Sequence, residues 1–263
     1  MHAHAFDQFH FHDSTIHRLD PRVKLVAVLV YIFSNALLPD GSWTAFGLSW
    51  LILLLANELS EFGLGFTFKR SFVALPFALV AVSAIFSPLG DPLAEWDLGF
   101  VTLIPTDFGL IRFFSILVRS WLSVQMAILL VSTTQFPDLI HAFEHLRVPR
   151  MLTTTVAFLY RYLFVLMDEV FRLLRARDAR SAGLPGQKRG GSVLWRAKVT
   201  GSMAGQLFLR SYERSERIYN AMISRGYAGH IRTLNPHRMN RADWMILFLF
   251  LFIVLTIQLV GWL

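Results

Sequence analysis

The sequence predicts an all-α polytopic membrane protein with five or six transmembrane helices and long amphipathic cytoplasmic helices. Of the 263 residues, 54% are hydrophobic and only 16% are charged, and the charges are concentrated in one part of the chain. A soluble domain usually carries about 25% charged residues, so this chain is short of solubilising groups. The absence of cysteine excludes a disulfide scaffold, thiolate metal sites and a cysteine nucleophile.

Uncharged apolar segments mark three of the predicted spans. Residues 244–263 contain no charge, and a stretch of about 20 such residues crosses about 30 Å of hydrocarbon. Residues 71–89 form another candidate, in which Pro76 predicts a kink. A third candidate, 108–134, carries Arg112 and Arg119 in its first half. One of these arginines can extend to the interface, whereas the other needs a partner or a cavity.

The N-terminal part is less clearly divided. Segments 23–38 and 43–56 are separated by the turn residues Pro39-Asp40-Gly41-Ser42. Each segment is short for a span, so they form either two tilted crossings or a buried hairpin, and we favour two crossings. The residues before Arg18 are polar and rich in histidine, which is not the pattern of a signal peptide.

The charge distribution predicts how the chain is oriented in the membrane. Residues 135–241 contain 18 of the 25 Lys and Arg and 7 of the 18 Asp and Glu, a net charge of +11 (18 − 7). Lys69 and Arg70 follow the second segment, whereas the 39–42 turn and the 88–107 loop contain only acidic charges. Positive loops stay cytoplasmic, so the N-terminus is predicted to be cytoplasmic in a multi-pass protein of the cell inner (cytoplasmic) membrane.

Three parts follow along the chain. Residues 1–134 form the N-terminal tail and transmembrane helices, 135–241 are cytoplasmic or membrane-proximal helices, and 242–263 form the last transmembrane helix. The middle part predicts a short helix after Pro137, a helix from about 152 to 182, and a helix over 192–224. Gly226 is suited to a left-handed helix end.

Both long helices end in a tripeptide with arginine between small residues. These are Ala179-Arg180-Ser181 and Ser224-Arg225-Gly226. An arginine without bulky neighbours can enter a groove of a partner, whereas a single arginine at a helix C-terminus more often complements the helix dipole. The repetition favours a partner, although the spacing does not identify it.

Several longer motifs resemble the transmembrane T component of energy-coupling-factor (ECF) transporters, the EcfT/CbiQ family, and most closely its CbiQ cobalt-transport branch. The likeness covers about residues 14–230 and includes LDPRVKL at 19–25, STTQFPDLIHAFEHLRVP at 132–149, FLYRYLFVLMDEVFRLLRARDARSAG at 158–183 and AMISRGY at 221–227.

The resemblance implies a non-catalytic subunit without a cofactor of its own. It would scaffold a substrate-binding membrane subunit for cobalt onto a cytoplasmic ABC-type ATPase dimer, within the lipid bilayer, and a small accessory membrane subunit is left open. The tripeptides match the family's Ala-Arg-Gly motifs, so Arg180 and Arg225 would be the coupling arginines. Ala179, Ser181, Ser224 and Gly226 would be their small neighbours, with Ser181 replacing the usual glycine and Ser224 the usual alanine.

The imported substrate rests on the likeness to one branch. Cobalt, as a supply for cobalamin biosynthesis, is the expectation, and nickel or a vitamin is the alternative. A nucleic-acid binder is not expected, because no aromatic platform is interleaved with the basic residues.

Two alternative functions, from other classes of protein, are a stand-alone secondary transporter and an intramembrane His-metal enzyme. The first requires inverted repeats, which are not found in the sequence. The second requires a third ligand beside the His141 and His145 pair. Residues His2 and His4 of the N-terminal tail are weak candidates for metal binding. Asp168 and Arg172 are four apart and predict a local ion pair, whereas no partner for Arg161 can be assigned.

Overall fold

The computed structural model describes residues 9–10, 14–86, 96–97, 102–103, 106–180, 192–229 and 239–263. The chain divides into two compact units, Met1–Ala142 with Pro236–Leu263, and Phe143–Asn235. Among the described residues the fold is helical, apart from two short antiparallel strands, β1 (Trp96–Asp97) and β2 (Thr102–Leu103), which pair Trp96 with Leu103.

The first unit contains most of the apolar helices. They are α1 (Thr15–Arg18), α2 (Pro21–Leu37), α3 (Trp43–Ser60), α4 (Leu64–Arg70), α5 (Leu75–Ala81), α6 (Asp107–Thr133) and α10 (Arg241–Trp262), with 3₁₀ turns at Ser71–Ala74 and Val82–Phe86. Helix α7 (Phe136–His145) crosses the unit boundary, and the second unit contains α8 (Arg150–Arg180) and α9 (Val193–Ser224).

The core of the first unit forms where α2, α3 and α6 meet. Its buried side chains are Leu25, Val28, Tyr31, Leu53, Leu122, Met126, Leu130 and Ala142. The Tyr31 hydroxyl donates to the Ser49 carbonyl oxygen at 2.9 Å, so the one polar atom of this ring is satisfied inside the core. Helix α10 joins α2 through the Ser34 hydroxyl and the Gln258 side-chain amide, which lie 2.9 Å apart.

Among the described residues, four helices are long and apolar enough to cross a membrane, namely α3, α6, α8 and α10. A fifth candidate is a broken pair, Gly65–Ala74 with Leu79–Ile85, bent by 51°. Pro76 lies in this break, as the sequence predicts, because proline cannot complete the helical hydrogen-bond ladder. The count is therefore four or five, and six is not supported.

Helix α2 corresponds to the predicted span at 23–38, but it is not among the helices long enough to cross a membrane. It has 17 residues, which at 1.5 Å per residue is about 25 Å, less than the hydrocarbon thickness of about 30 Å. Helix α8 was predicted as a cytoplasmic helix, and it nevertheless meets the length and composition expected of a span.

The LDPRVKL motif closes the N-terminal end of α2. The Asp20 carboxylate caps the helix by accepting from the Arg22 backbone N–H at 2.9 Å, and Pro21 occupies the first turn. The buried Lys24 ammonium donates to the carbonyl oxygens of His17 and Thr133, both at 3.1 Å. Lys24 therefore ties the start of α2 to the end of α6.

The opposite end of α2 is tied to the first half of α6. The Arg119 guanidinium pairs with the Asp40 carboxylate at 2.7 Å and also donates to the Leu38 carbonyl oxygen. Arg112 lies 3.9 Å from the same carboxylate. Asp40 is thus the partner that the arginines of the 108–134 segment need, and α2 runs antiparallel to α6.

A close approach positions the broken segment against α6. A Cβ atom at Gly109 would overlap the Ile85 carbonyl group, so only glycine permits this contact. The Thr106 N–H donates to the same Ile85 oxygen at 3.3 Å. Farther along α6, the Trp121 indole N–H donates to the Ser71 hydroxyl at 2.7 Å.

Candidate coupling site

Helices α8 and α9 of the second unit pack antiparallel. Glu169, in the second half of α8, contacts Arg210 near the middle of α9, whereas Phe158 in the first half of α8 contacts Tyr227 just beyond the end of α9, with ring centroids 6.3 Å apart. The C-terminal end of each helix therefore lies beside the N-terminal half of the other.

The acidic side chain of Glu169 joins the two helices. Glu169 is 8% exposed and pairs with Arg210 at 2.7 Å, Arg172 at 3.2 Å and Arg214 at 3.9 Å. A carboxylate has about four acceptor positions, enough for several arginine donors. The predicted pair between Asp168 and Arg172 is wrong in its partner, because Arg172 turns towards Glu169 and Asp168 is exposed.

The end of α9 has a well-defined backbone geometry. The Tyr227 N–H donates to the Met222 carbonyl oxygen at 3.0 Å, and the Gly226 N–H donates to the Ile223 carbonyl oxygen at 2.9 Å. These two hydrogen bonds, with Gly226 at φ +80°, form a Schellman motif. The left-handed conformation predicted for Gly226 is confirmed, and it places Arg225 at the C-cap of the helix.

The neighbours of Arg225 leave its side chain accessible. Arg225, Ser224 and Gly226 are all exposed, and the Ser224 hydroxyl turns back to donate to the Asn220 carbonyl oxygen at 2.9 Å. Within the described parts of the chain, the Arg225 guanidinium makes no ion pair. Its full charge is therefore available to a partner.

The end of α8 carries the other predicted tripeptide. Ala179 and Arg180 are exposed in the last turn of α8, whereas Ser181 lies outside the described residues. Arg180 lines a cavity of about 630 Å³ together with Trp195 and Gln206 of α9, and Glu169 lines the same cavity. As far as the structure describes the chain, the Arg180 side chain makes no ion pair.

The two predicted coupling arginines lie at opposite ends of the helix pair. Arg225 shares a cavity with Arg161 of α8, and Arg180 is 19 residues farther along the same helix (180 − 161). At 1.5 Å per residue, Arg180 is about 28 Å along α8 from Arg161, and hence at a similar distance from the cavity that contains Arg225. The arrangement presents two separate cationic points rather than one cluster, and the coupling role of the six tripeptide residues stays a prediction.

An apolar groove lies between α8 and α9. It has a volume of about 620 Å³ and is lined by side chains of both helices, including Phe158, Tyr162, Val165, Ile218 and Met222. Ile218 and Met222 belong to α9, and the other three belong to α8.

The histidines do not form a metal site in the described residues. Across those ranges, no group of three or more His, Asp or Glu is placed to hold a metal ion. His10 and His17 instead pack edge-to-face against Phe62, with centroids 6.0 and 5.4 Å away. His2 and His4 lie outside the described residues.

The fold and the site define an all-helical, multi-pass membrane protein that exposes arginines at both ends of a helix pair. Residues 12–237 match the family model described as CbiQ, cobalt transport protein. The chain therefore belongs to the CbiQ family.

Named relatives are consistent with this membership. The chain is 30% identical over 248 residues to the energy-coupling factor transporter transmembrane protein EcfT of Lacticaseibacillus paracasei, covering 89% of each chain. It is also 30% identical over 248 residues to the EcfT protein of Thermanaerovibrio acidaminovorans, covering 89% of this chain and 88% of the relative. An uncharacterised protein of Methanocaldococcus jannaschii is 27% identical over 260 residues, covering 97% and 85%.

Family membership assigns the class of subunit. The chain is a T component of an ECF transporter, a non-catalytic transmembrane subunit.

Proposed function

We propose that this T component docks an ABC-type ATPase dimer through Arg180 and Arg225 and transmits ATP-driven motion to a substrate-binding membrane subunit for cobalt ion uptake. The observation that carries the docking role is the placement of these arginines. Both side chains are exposed, neither makes an ion pair in the described residues, and they lie at opposite ends of one antiparallel pair.

This spacing suits a dimeric partner. Two ATPase subunits offer two equivalent grooves. The two ends of the helix pair that carry Arg180 and Arg225, about 28 Å apart, can enter one groove each. ATP binding closes the ATPase dimer and moves the grooves relative to each other. Two long helices joined at Glu169 follow such a movement as rigid bodies, which is a common mode of coupling.

The charge of α8 favours a position outside the hydrocarbon. Arg161 lies within its apolar half, and the described residues provide no acidic side chain within ion-pair distance of it. An unpaired charge at the centre of a bilayer costs several kcal/mol. Although α8 is long enough to span, we assign it to the cytoplasmic side as a coupling helix.

Cobalt is proposed as the substrate because the matching family is described as cobalt transport protein. Nickel and vitamins remain the alternatives, since the substrate is selected by the binding subunit rather than by this chain. The names of the EcfT relatives specify no substrate.

Charge reversal tests the docking role. In the purified full complex, the Arg180→Glu and Arg225→Glu double variant is expected to lose the ATPases, because each groove then meets a like charge. Arg175→Glu and Arg217→Glu are matched controls, since both arginines are exposed on the same two helices, and they should retain the ATPases. A double variant that copurifies with a full complement of ATPase would refute the docking role.

Transport by the reconstituted complex tests the substrate. Proteoliposomes containing the intact complex and internal ATP are expected to accumulate Co²⁺, and those made with the double variant are expected to lose uptake. Accumulation of Ni²⁺ without Co²⁺ would reject cobalt while leaving the T-component role intact.

A further inference from the structure

Arg161 is a cation without an acidic partner among the residues that the structure describes. It is exposed on the apolar half of α8. Several other arginines of this helix pair have an acidic partner, because Arg172, Arg210 and Arg214 share Glu169 and Arg177 pairs with Asp178 at 2.9 Å. Within the described ranges, no acidic side chain lies within 4.0 Å of Arg161.

Arg161 shares one cavity with Arg225. The cavity has a volume of about 670 Å³, and Phe158, Tyr162 and Tyr227 provide aromatic walls. Its remaining lining residues are Ile218, Ala221, Met222, Gly226 and Ala228. None of these residues is acidic, so both guanidinium groups face the cavity without a carboxylate of their own chain.

The cavity at the Arg180 end of the helix pair contains an acidic side chain as well as arginines. Arg180 shares its cavity with Glu169, as well as with Arg172 and Arg210. An internal carboxylate therefore offsets part of the positive charge at that end. The two tips are chemically unequal, although the two tripeptides look alike in sequence.

We propose that Arg161 and Arg225 together form a docking cleft for a carboxylate side chain of the ATPase partner, so that Arg161 is a second binding residue of this tip. The proposal rests on the docking role proposed above for Arg225. A planar guanidinium binds a carboxylate through two parallel hydrogen bonds, and two guanidinium groups around one carboxylate can engage both of its oxygens.

Charge complementarity selects a carboxylate of the partner as the occupant. The Schellman motif holds Arg225 at the exposed end of α9, so a partner that reaches Arg225 also reaches the cavity behind it. An acidic side chain on the bound ATPase then neutralises Arg161, which has no ion pair within the described part of the chain.

Substitutions of Arg161 in the full complex test the cleft. We expect Arg161→Glu to weaken ATPase binding by tenfold or more, Arg161→Gln to weaken it several-fold, and Arg161→Lys to retain part of the affinity. Arg175→Glu on the same helix is the control and should bind as the wild type does. The Arg161→Gln and Arg225→Gln double variant should lose less than the two single losses combined, because both side chains bind the same carboxylate.

The outcomes separate this inference from the docking role. Loss of ATPase with Arg225→Glu but wild-type affinity with Arg161→Glu would overturn the cleft and leave the docking role standing. Wild-type affinity in both variants would overturn both. An anionic phospholipid that native mass spectrometry finds on the wild type and not on Arg161→Gln, with unchanged ATPase affinity, would assign the cleft to a lipid headgroup and overturn the proposal. Arg161→Gln and Arg161→Lys provide the test if Arg161→Glu does not assemble.

Discussion

Asp40 is the residue on which the arginines of α6 converge. Its carboxylate lies 2.7 Å from Arg119 and 3.9 Å from Arg112, and the Arg119 guanidinium also lies 5.7 Å from the centre of the Phe46 ring. Asp40 and Arg119 are each about one-fifth exposed. Removing one partner of such a pair leaves the other charge partly buried and unpaired, which costs more than the pair itself contributes.

Replacement of this carboxylate is therefore expected to destabilise the first unit. Asp40→Ala should lower the free energy of unfolding by about 1–3 kcal/mol, measured as a lower apparent Tm in detergent. Glu58→Ala is the matched control, since Glu58 is exposed and makes no ion pair in the described residues. Equal Tm values for the two variants would show that the pair contributes nothing to stability.

At the scale of elements, α8 and α9 depend on Glu169 for their polar connection. Glu169 is nearly buried, whereas its partners Arg210 and Arg214 are 57% and 36% exposed at the side chain. Solvent weakens ion pairs with such exposed arginines, so each of them contributes a modest amount. Their convergence on one carboxylate contributes to the contact between the two helices.

Loss of this carboxylate is expected to loosen the helix pair. Glu169→Ala should reduce the local stability modestly and increase the rate at which trypsin cleaves within α8 and α9 of the folded protein. Asp168→Ala changes the neighbouring, exposed acid and should leave the cleavage rate unchanged. If both variants were cleaved at the wild-type rate, Glu169 would not be the connection between the helices.

At the scale of the whole molecule, the antiparallel packing of α2 and α6 places a basic residue and an acidic residue beside opposite halves of α6. Lys24 binds the end of α6 at Thr133, whereas Asp40 binds Arg119, 14 residues earlier (133 − 119). This separation is about 21 Å along the helix. Lys24 at the start of α2 and the acidic turn after α2 therefore lie beside opposite halves of α6.

This separation makes the predicted orientation testable by labelling. The chain has no cysteine, so Asp107→Cys and Gln135→Cys each create a single thiol, at exposed positions on opposite ends of α6. If the N-terminus is cytoplasmic, a membrane-impermeant maleimide added to intact cells should label Asp107→Cys and not Gln135→Cys. Permeabilised cells, in which both should react, are the control, and the reverse pattern in intact cells would place the N-terminus outside.

Local patterns were sufficient for much of the helical organisation. Pro76 marks the break in the apolar segment at 71–89, Ser192 caps α9, and Gly226 ends α9 in the left-handed conformation. These features depend on residues close together in the chain, since proline, a capping hydroxyl and a glycine act within one helical turn. The hydropathy of the segments and the family motifs likewise indicate a multi-pass T component.

Partners distant in sequence were decided only by the tertiary structure. The pairing of Asp40 with Arg119, of Lys24 with the Thr133 carbonyl group, and of Glu169 with Arg210 joins residues between 41 and 109 positions apart. Helical periodicity predicts contacts three or four residues away, which is why it suggested Asp168 for Arg172 and found no partner for Arg161. Only the packing of α8 against α9 brings Arg161 and Arg225 to one cavity, because which faces of two helices meet depends on the whole set of side chains between them.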